Sequence, residues 1–326
     1  MRQTPTIEDI EAALERIAGH AVPTPLISFP VLDAATGGRV LIKAENLQRV
    51  GAFKFRGAFN RLSLTDRTRY PGGIVACSSG NHAQGVAEAA RLLGLAAVIV
   101  MPSDAPRLKI ERTREAGAQV ILYDRAREDR EAIARHESDV RRADFVHPFD
   151  DPGVIAGQGT VGLEIAAQAL ALGMSIDDVL VPCSGGGLAS GIAIAMDARM
   201  PGASIWTVEP ATHDDMARSL AAGTLQHNDN PPPSIADALL VSEPGKLTFE
   251  ILSRHAAGGL SVSDDEIRAA VRFAFVELKL VVEPGGAAAL AAVLSGRLDA
   301  RGRTVAVVLS GGNVDPQTFA DIVTRP

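Results

Sequence analysis

Apolar and polar positions follow two different spacings along the chain. Short apolar runs, most of them rich in valine and isoleucine, predict strands at 40–43, 73–77, 96–101, 119–122, 144–146, 179–182, 204–209 and 304–309. Between them, apolar residues recur at helical spacing, at 82–93, 107–116, 127–136, 154–172, 188–199, 264–278 and 286–294. Uninterrupted apolar runs are typical of parallel strands that are covered on both faces. The alternation of strands and helices therefore predicts an α/β fold with right-handed crossovers.

Length and charge narrow the class of protein. The 326 residues fit one large domain or two moderate ones, and 46% hydrophobic residues suffice for a sizeable core. The net charge is −7, and the chain has no dense run of lysine and arginine. A nucleic-acid partner is therefore not expected, because such binding needs a basic face.

Cysteine use and apolar stretches bear on where the protein works. Cys77 and Cys183 are far apart, and each stands in an apolar run, which suits buried thiols in a reducing compartment. The N-terminal segment lacks the apolar core of a signal peptide. The longest apolar stretch, 92–101, contains Gly94 and is too short to cross a bilayer. We therefore expect a soluble, cytoplasmic protein with no membrane partner.

A lysine between two aromatic residues is the first candidate for chemistry. It is Lys54, in the segment Gly-Ala-Phe-Lys-Phe-Arg-Gly at 51–57, at a predicted helix start. A lysine in an apolar pocket has a lowered pKa and forms Schiff bases with carbonyl compounds. Taken alone, the segment fits a surface lysine on an amphipathic helix better.

Three further turns follow predicted strands, where ligands bind in open α/β sheets. The segment 78–82, Ser-Ser-Gly-Asn-His, offers free backbone N–H groups to a carboxylate, although it also suits a plain helix cap. The segment 184–188, Ser-Gly-Gly-Gly-Leu, lies between a strand and a helix and suits a phosphate. The segment 310–313, Ser-Gly-Gly-Asn, ends the last strand and by itself favours an ordinary turn.

Taken together, these motifs resemble the fold type II pyridoxal-phosphate enzymes, which are tryptophan synthase β-like, and within them the serine/threonine dehydratase and serine racemase branch. The resemblance runs from Thr24 to Asn313, with F-K-x-R-G, S-S-G-N-H, A-G-Q-G-T, the glycine loop, V-E-P and S-G-G-N in the same order. It implies a large domain from 1–67 and 147–326 and an inserted small domain at 68–146, each with a mainly parallel sheet flanked by helices. It also implies pyridoxal 5'-phosphate as cofactor and a homodimer.

The resemblance also implies a role for each motif residue. Lys54 resembles the Schiff-base lysine, and Ser79 the second acid/base that racemases place across the ring. The implied cofactor contacts are Phe53 on the ring, Asn81 on the ring hydroxyl, Ser184, Gly185, Gly186, Gly187 and Leu188 around the phosphate, and Ser310 on the pyridine nitrogen. The implied substrate contacts are Ser78, Ser79, Asn81 and His82 on the α-carboxylate, and Arg130 at the distal end. His82 after Asn81 is typical of the dehydratases.

A metal site is implied on the same ground. Glu209 and Asp215, with the backbone carbonyl of His213, are similar to the divalent-cation site of serine racemases. Oxygen ligands suit Mg²⁺, or alternatively Ca²⁺ or Mn²⁺. The competing interpretation is a solvated acidic helix start.

Two departures from the family pattern concern the substrate. Ser184 stands where a fourth glycine is more common, and Ala238 stands where glycine is usual near the ring. Both put a preference for threonine or serine in doubt. An arginine such as Arg130 can bind a second carboxylate through two hydrogen bonds, which would suit 3-hydroxyaspartate. An exposed helix arginine is an equally good interpretation.

The function implied by the resemblance is a dehydratase and ammonia-lyase that eliminates water from threonine, serine or 3-hydroxyaspartate, giving an oxo acid and ammonia. A serine or aspartate-type racemase that uses Lys54 and Ser79 on opposite faces is the alternative. A distant alternative is a nicotinamide-dependent dehydrogenase, since 157–162 fits G-x-G-x-x-G, although no predicted strand directly precedes it. A non-catalytic binding protein is disfavoured because Lys54, Ser79 and Asn81 occur together.

Overall fold

The computed structural model describes residues 4–78, 80–105, 107–124 and 127–324. Its strands are β1 (Leu26–Ser28), β2 (Arg39–Ala44), β3 (Ile74–Cys77), β4 (Ala97–Pro102), β5 (Gln119–Tyr123), β6 (Asp144–Val146), β7 (Asp178–Pro182), β8 (Ser204–Pro210), β9 (Ala256–Val262) and β10 (Thr304–Leu309). Its helices are α1 (Ile7–Ile17), α2 (Pro30–Thr36), α3 (Lys54–Ser63), α4 (Asn81–Leu93), α5 (Arg107–Glu115), α6 (Arg130–Arg141), α7 (Pro152–Ala171), α8 (Gly187–Arg199), α9 (Asp215–Ala222), α10 (Lys246–His255), α11 (Asp264–Val276), α12 (Ala288–Leu294) and α13 (Pro316–Thr324).

The strands form two sheets. The larger has the order β1-β2-β10-β7-β8-β9, in which β1 pairs antiparallel with β2 and the other pairs are parallel. The smaller has the order β5-β4-β3-β6 and is parallel throughout. The predicted α/β class with mainly parallel sheets is therefore confirmed. The strands of the smaller sheet all lie between residues 74 and 146, but the division into two domains stays a prediction.

Helices cover both faces of the larger sheet, as its apolar strands require. Along β10, Val305 and Val307 belong to the core formed with α11 and α12. Ala306 and Val308 face the opposite core, formed with α7 and α8. Successive side chains of a strand point to opposite faces, so a strand with cores on both sides must be apolar at every position. This is why an uninterrupted apolar run predicted these strands correctly.

The long helix α7 is the apolar centre of the molecule. It is the one helix of the described residues long and apolar enough to cross a membrane, but most of it is buried within the protein. Its glycines allow close packing: a side-chain carbon at Gly157 would lie 2.6 Å from the Cα of Gly57, and one at Gly159 would lie 2.9 Å from the carbonyl oxygen of Gly191. The G-x-G-x-x-G match thus lies inside a helix, without the strand-to-helix turn that a dinucleotide needs. The nicotinamide interpretation of this segment is wrong.

Some elements differ from the prediction. β1 is short, and β9 contains two glycines, so neither shows the valine- and isoleucine-rich run of the other strands. Gly259 is needed in β9 because a side-chain carbon there would lie 2.4 Å from the Cβ of Ala217 on α9. The helix predicted at 127–136 begins instead at Arg130, because the Asp129 side chain caps it by accepting hydrogen bonds from two backbone N–H groups of its first turn.

Candidate active site

A cavity of about 220 Å³ lies at the carboxyl ends of the parallel strands, where β3, β7 and β10 meet their following turns. The structure brings most of the predicted site residues to this one place. Its lining includes Phe53, Lys54, Ser78, Asn81, His82, Arg130, Ser184, Gly185, Gly186, Gly187, Leu188 and Ser310. Ser79, the predicted second acid/base, lies outside the described residues.

Lys54 has the environment of a nucleophilic amine. It is the first residue of α3, and its Nζ donates a hydrogen bond of 3.1 Å to the carbonyl oxygen of Pro148. The same nitrogen lies 5.1 Å from the centre of the Phe53 ring. Burial lowers the pKa of Lys54 from 10.5 to about 8. The neutral, reactive form is therefore accessible near neutral pH.

The backbone around Lys54 is fixed by close packing. Gly85 on α4 faces it, and a side-chain carbon there would lie 3.2 Å from the carbonyl carbon of Lys54. On the other side, the N–H of Phe53 donates a 3.1 Å hydrogen bond to the carbonyl oxygen of Ser310. This bond places the lysine segment beside the end of β10. The Lys54 side chain is thus held between the two sheets.

The glycine loop after β7 forms a cradle that side chains would fill. A side-chain carbon at Gly185 would lie 2.3 Å from the ring of Phe149, and Gly186 has φ +93°, a conformation that favours glycine. The Thr248 hydroxyl donates a 2.6 Å hydrogen bond to the Gly185 carbonyl oxygen. Since α8 begins at Gly187, the backbone N–H groups of its first turn have no acceptors within the helix. The loop therefore suits an anion such as phosphate.

Asn81 is oriented by two partners. Its Nδ2 donates a 2.5 Å hydrogen bond to Glu283 Oε1, and its Oδ1 accepts a 2.9 Å hydrogen bond from Asn313 Nδ2. Burial, together with the charge of Asp237, raises the pKa of Glu283 to about 7. Glu283 therefore lies inside the cavity in a state poised between the neutral and charged forms.

Ser78 lies in the turn between β3 and α4, and His82 is the second residue of α4. The His82 side chain is buried, and burial with the nearby Lys54 charge lowers its pKa well below 6.5. His82 is thus a neutral imidazole at physiological pH. The Ser78 hydroxyl accepts a 3.2 Å hydrogen bond from the Gly80 N–H, which tightens the turn.

Arg130 lies in the cavity and not on an exposed helix surface. It is the first residue of α6 and lines the cavity together with Lys54. Within residues 4–78, 80–105, 107–124 and 127–324 no ion pair or hydrogen bond of its guanidinium is found. Its five N–H donors are thus oriented by position alone and suit an incoming carboxylate.

The predicted metal residues form a buried acidic pair outside this cavity, with Glu209 on β8 and Asp215 at the start of α9. Glu209 accepts backbone hydrogen bonds from Met216 at 3.0 Å and Ala217 at 2.7 Å, at the start of α9. Asp215 Oδ1 accepts a 2.6 Å hydrogen bond from Asn228, whereas Oδ2 is buried and lacks a partner. Burial raises the pKa of Glu209 well above 4.5 and that of Asp215 to about 6. No group of three acidic, histidine or cysteine side chains suited to a metal occurs in the described part of the chain.

Several cavity residues were not found from the sequence. They are Lys109, Phe149, Asp237 and Glu283, all of which line the cavity. Glu283 carries a signal that could have revealed it, because an acid within the apolar run 280–284 is unusual. The other three come from a helix, a loop and a short turn that have no glycine-rich motif, so only their spatial neighbours mark them.

Known proteins resemble this chain over nearly its full length. The family model described as pyridoxal-phosphate dependent enzyme matches residues 17–311. The L-threo-3-hydroxyaspartate ammonia-lyase of a Pseudomonas species is 43% identical over 98% of this chain and 99% of that protein. The L-threonine ammonia-lyase of Thermotoga maritima is 40% identical over 98% of this chain and 78% of that protein. The structure of maize serine racemase superposes with a TM-score of 0.92 at 37% identity, covering 98% of this chain and 97% of that one.

Proposed function

Because the chain belongs to the pyridoxal-phosphate dependent enzymes, we propose that its cavity binds that cofactor on Lys54 and eliminates water from a small β-hydroxy amino acid. The released enamine takes up one water again when it hydrolyses to the oxo acid and ammonia. The protein is a lyase that converts such a substrate into an oxo acid and ammonia. One observation carries the proposal: the half-buried Lys54 amine, with its pKa of about 8, shares a cavity with a glycine cradle suited to phosphate.

The residues present fit the cofactor. Gly185, Gly186 and Gly187, with Leu188 at the start of α8, would hold the phosphate through backbone N–H groups, and Ser184 lines the same loop. Phe53 would pack on the ring, Asn81 would contact the ring hydroxyl, and Ser310 would contact the pyridine nitrogen. When bound, pyridoxal phosphate withdraws electrons from the α-carbon of an amino acid and so makes its proton removable.

The chain's own groups would handle the substrate around that centre. The turn of Ser78, Asn81 and the neutral His82 would hold the α-carboxylate. The Lys54 amine would take the α-proton, because burial keeps its pKa close to the working pH. It would then return that proton to the departing β-hydroxyl.

We propose 3-hydroxyaspartate as the preferred substrate, with Arg130 on its distal carboxylate. The Arg130 guanidinium in the cavity, which has no ion pair among the described residues, supports this choice, and so does the name of the Pseudomonas relative. Turnover of 3-hydroxyaspartate, threonine and serine is to be measured by oxo-acid and ammonia detection. In the Arg130→Ala variant we expect kcat/KM for 3-hydroxyaspartate to fall by about 10- to 100-fold relative to that for serine, the loss of one charge-assisted contact.

The matched control for this variant is Arg135→Ala. Arg135 lies on the same helix, is more than half exposed and pairs with Glu131, so its removal leaves the relative rates unchanged. If Arg130→Ala slows all three substrates by the same factor, a role on the distal carboxylate is wrong.

We further propose that Glu209 and Asp215, with the His213 backbone carbonyl, hold a divalent cation, Mg²⁺ or alternatively Ca²⁺ or Mn²⁺. Two observations support this site. Among the described residues, Asp215 Oδ2 is buried without a hydrogen-bond partner, and burial raises the pKa values of both carboxyl groups, so a bound cation would stabilise their charged forms.

Added Mg²⁺ is expected to raise the melting temperature by about 5 °C at roughly a hundredfold excess over Kd. Asp215→Asn should remove this response, because the ligand charge is lost. Asp265→Asn, at an exposed first-turn acid of α11, should keep it. Equal melting of chelator-treated and Mg²⁺-loaded wild type would refute the cation site.

Other expectations stay proposals. Ser79 would be the second acid/base of a serine or aspartate-type racemase activity, and the names of serine racemases among the relatives support that alternative without favouring it over the lyase. The homodimer and the cytoplasmic location likewise stay predictions.

A further inference from the structure

A third basic side chain, which no motif revealed, lies in the same cavity as Lys54 and Arg130. Lys109 on α5 lines it, and the Lys109 side chain is only 14% exposed. Its Nζ lies 3.2 Å from Asp237 Oδ2, on the short 3-10 turn Asp237–Leu239. A side-chain carbon at Gly80 would lie 3.9 Å from the same nitrogen. Lys109 thus lies close to the turn proposed to hold the substrate. Its ion pair with Asp237 connects α5 to the 3-10 turn that lines the same cavity.

The two partners of this ion pair differ in their access to water. The Asp237 side chain is 57% exposed, four times the exposed fraction of the Lys109 side chain. An exposed carboxylate is hydrated again when its ion pair breaks. A mostly buried ammonium group that loses its anion is not, so it stays charged and poorly solvated at a cost in free energy. Lys109 therefore needs an anion in the cavity, and Asp237 is the partner that can be exchanged.

The charges of the cavity fit a second carboxylate of the substrate. Lys109 and Arg130 both line it, and Asp237 and Glu283 are the acids among the lining residues. Glu283 Oε1 accepts the 2.5 Å hydrogen bond from Asn81, and no ion pair joins Glu283 to Lys109 in the described part of the chain. Asp237 has no such second hydrogen bond in the described part of the chain.

We propose that Lys109 is a specificity-determining residue that, together with Arg130, binds the distal carboxylate of a dicarboxylic amino acid. Without substrate, Asp237 forms the ion pair with Lys109, and the substrate carboxylate displaces it. The inference rests on the proposed function only for the identity of the reaction. It makes a separate claim about recognition: the cavity distinguishes amino acids with two carboxylates from those with one, and Lys109 and Asp237 affect that distinction in opposite directions.

Equilibrium binding by calorimetry tests this without turnover. The protein loaded with pyridoxal phosphate is titrated with L-aspartate and with L-alanine, neither of which has a β-hydroxyl to lose. In Lys109→Met, the preference for aspartate over alanine, the ratio of the two Kd values, is expected to fall about 10- to 100-fold. Lys109→Arg, which keeps the charge, should restore most of it. Asp237→Asn should raise the preference about 3- to 10-fold, because the internal competitor is gone.

Two results would overturn the inference. One is a wild type that binds aspartate no better than alanine. The other is that Lys109→Met and Asp237→Asn change the ratio of Kd values in the same direction or leave it unchanged. That outcome is expected if the ion pair only stabilises the structure of the cavity. A preference that depends on Lys109 in a protein that dehydrates none of the three hydroxy amino acids would instead reject the proposed function and retain the inference.

Discussion

Replacement of Lys54 by alanine is expected to abolish turnover of every substrate, by about 10³-fold or more, together with the visible absorption band of protein-linked pyridoxal phosphate. The reason is that this one amine serves both as the attachment point and as the proposed proton carrier. Lys54→Arg should fail equally, since a guanidinium keeps the charge but does not form the covalent link. Absorbance of the purified variants with added cofactor, followed by oxo-acid detection, measures both effects.

The control for Lys54 is Lys246, which is also the first residue of a helix, α10, but is exposed. Lys246→Ala should keep the absorption band and full turnover, since its amine has no cavity around it. A Lys54→Ala protein that still acquires the visible band, and to which borohydride reduction then fixes the cofactor irreversibly, would show that another amine carries the cofactor.

The pKa of Lys54 adds a pH dependence to cofactor attachment. Burial lowers this pKa to about 8, so the neutral amine becomes predominant above pH 8 and not above 10.5. Attachment of pyridoxal phosphate to the cofactor-free protein should therefore accelerate between about pH 7 and 9 and then level off.

Replacement of Arg56 by methionine is expected to destabilise the protein by about 3–5 kcal/mol. Arg56 follows Lys54 by two residues and has a completely buried side chain. Its guanidinium donates to both carboxylate oxygens of Glu45, at 2.8 and 2.9 Å, and to both of Glu164, at 2.7 and 2.8 Å. Methionine fills similar space but leaves the fully buried Glu45 without its principal counter-charge.

The loss of stability in Arg56→Met should depend on pH, and the pKa of Glu45 determines the direction of that dependence. Burial alone would raise this pKa, but Arg56, with smaller contributions from Lys43 and Thr24, lowers it below 4.5. Without Arg56 the pKa of Glu45 in the folded protein should rise above its unfolded value. Folding of the variant then requires a protonated Glu45, so its stability should fall as pH increases from about 5 to 8, whereas that of the wild type changes less. Urea unfolding at both pH values measures the difference.

Arg254→Met is the matched control, because Arg254 pairs with Glu250 on the surface of α10 and both side chains are more than half exposed. Its loss should cost no more than about 1 kcal/mol. Equal destabilisation by the two substitutions would show that the buried ion pairs of Arg56 with Glu45 and Glu164 stabilise the fold no more than an exposed ion pair does.

Local patterns were sufficient for much of this protein. A strand covered on both faces must be apolar at each position, so β10 and its neighbours could be recognised from a few consecutive residues. The glycine loop and the Lys54 segment could likewise be recognised, because a phosphate cradle and an imine-forming lysine each require particular residues next to one another in the chain. The family assignment depended on these short segments and on their order.

Other features depended on contacts between distant segments. β9 has no strand-like run of its own and is defined by its pairing with β8 and by the close packing of Ala217 on Gly259. The interpretation of Arg130 as exposed or as a cavity residue was open from the sequence, and the Asp129 cap placed it at the cavity. Lys109, Asp237 and Glu283 meet from three regions more than forty residues apart. Periodicity reports only which face of an element is buried, whereas a binding site depends on which buried faces meet, and that is decided by packing across the whole chain.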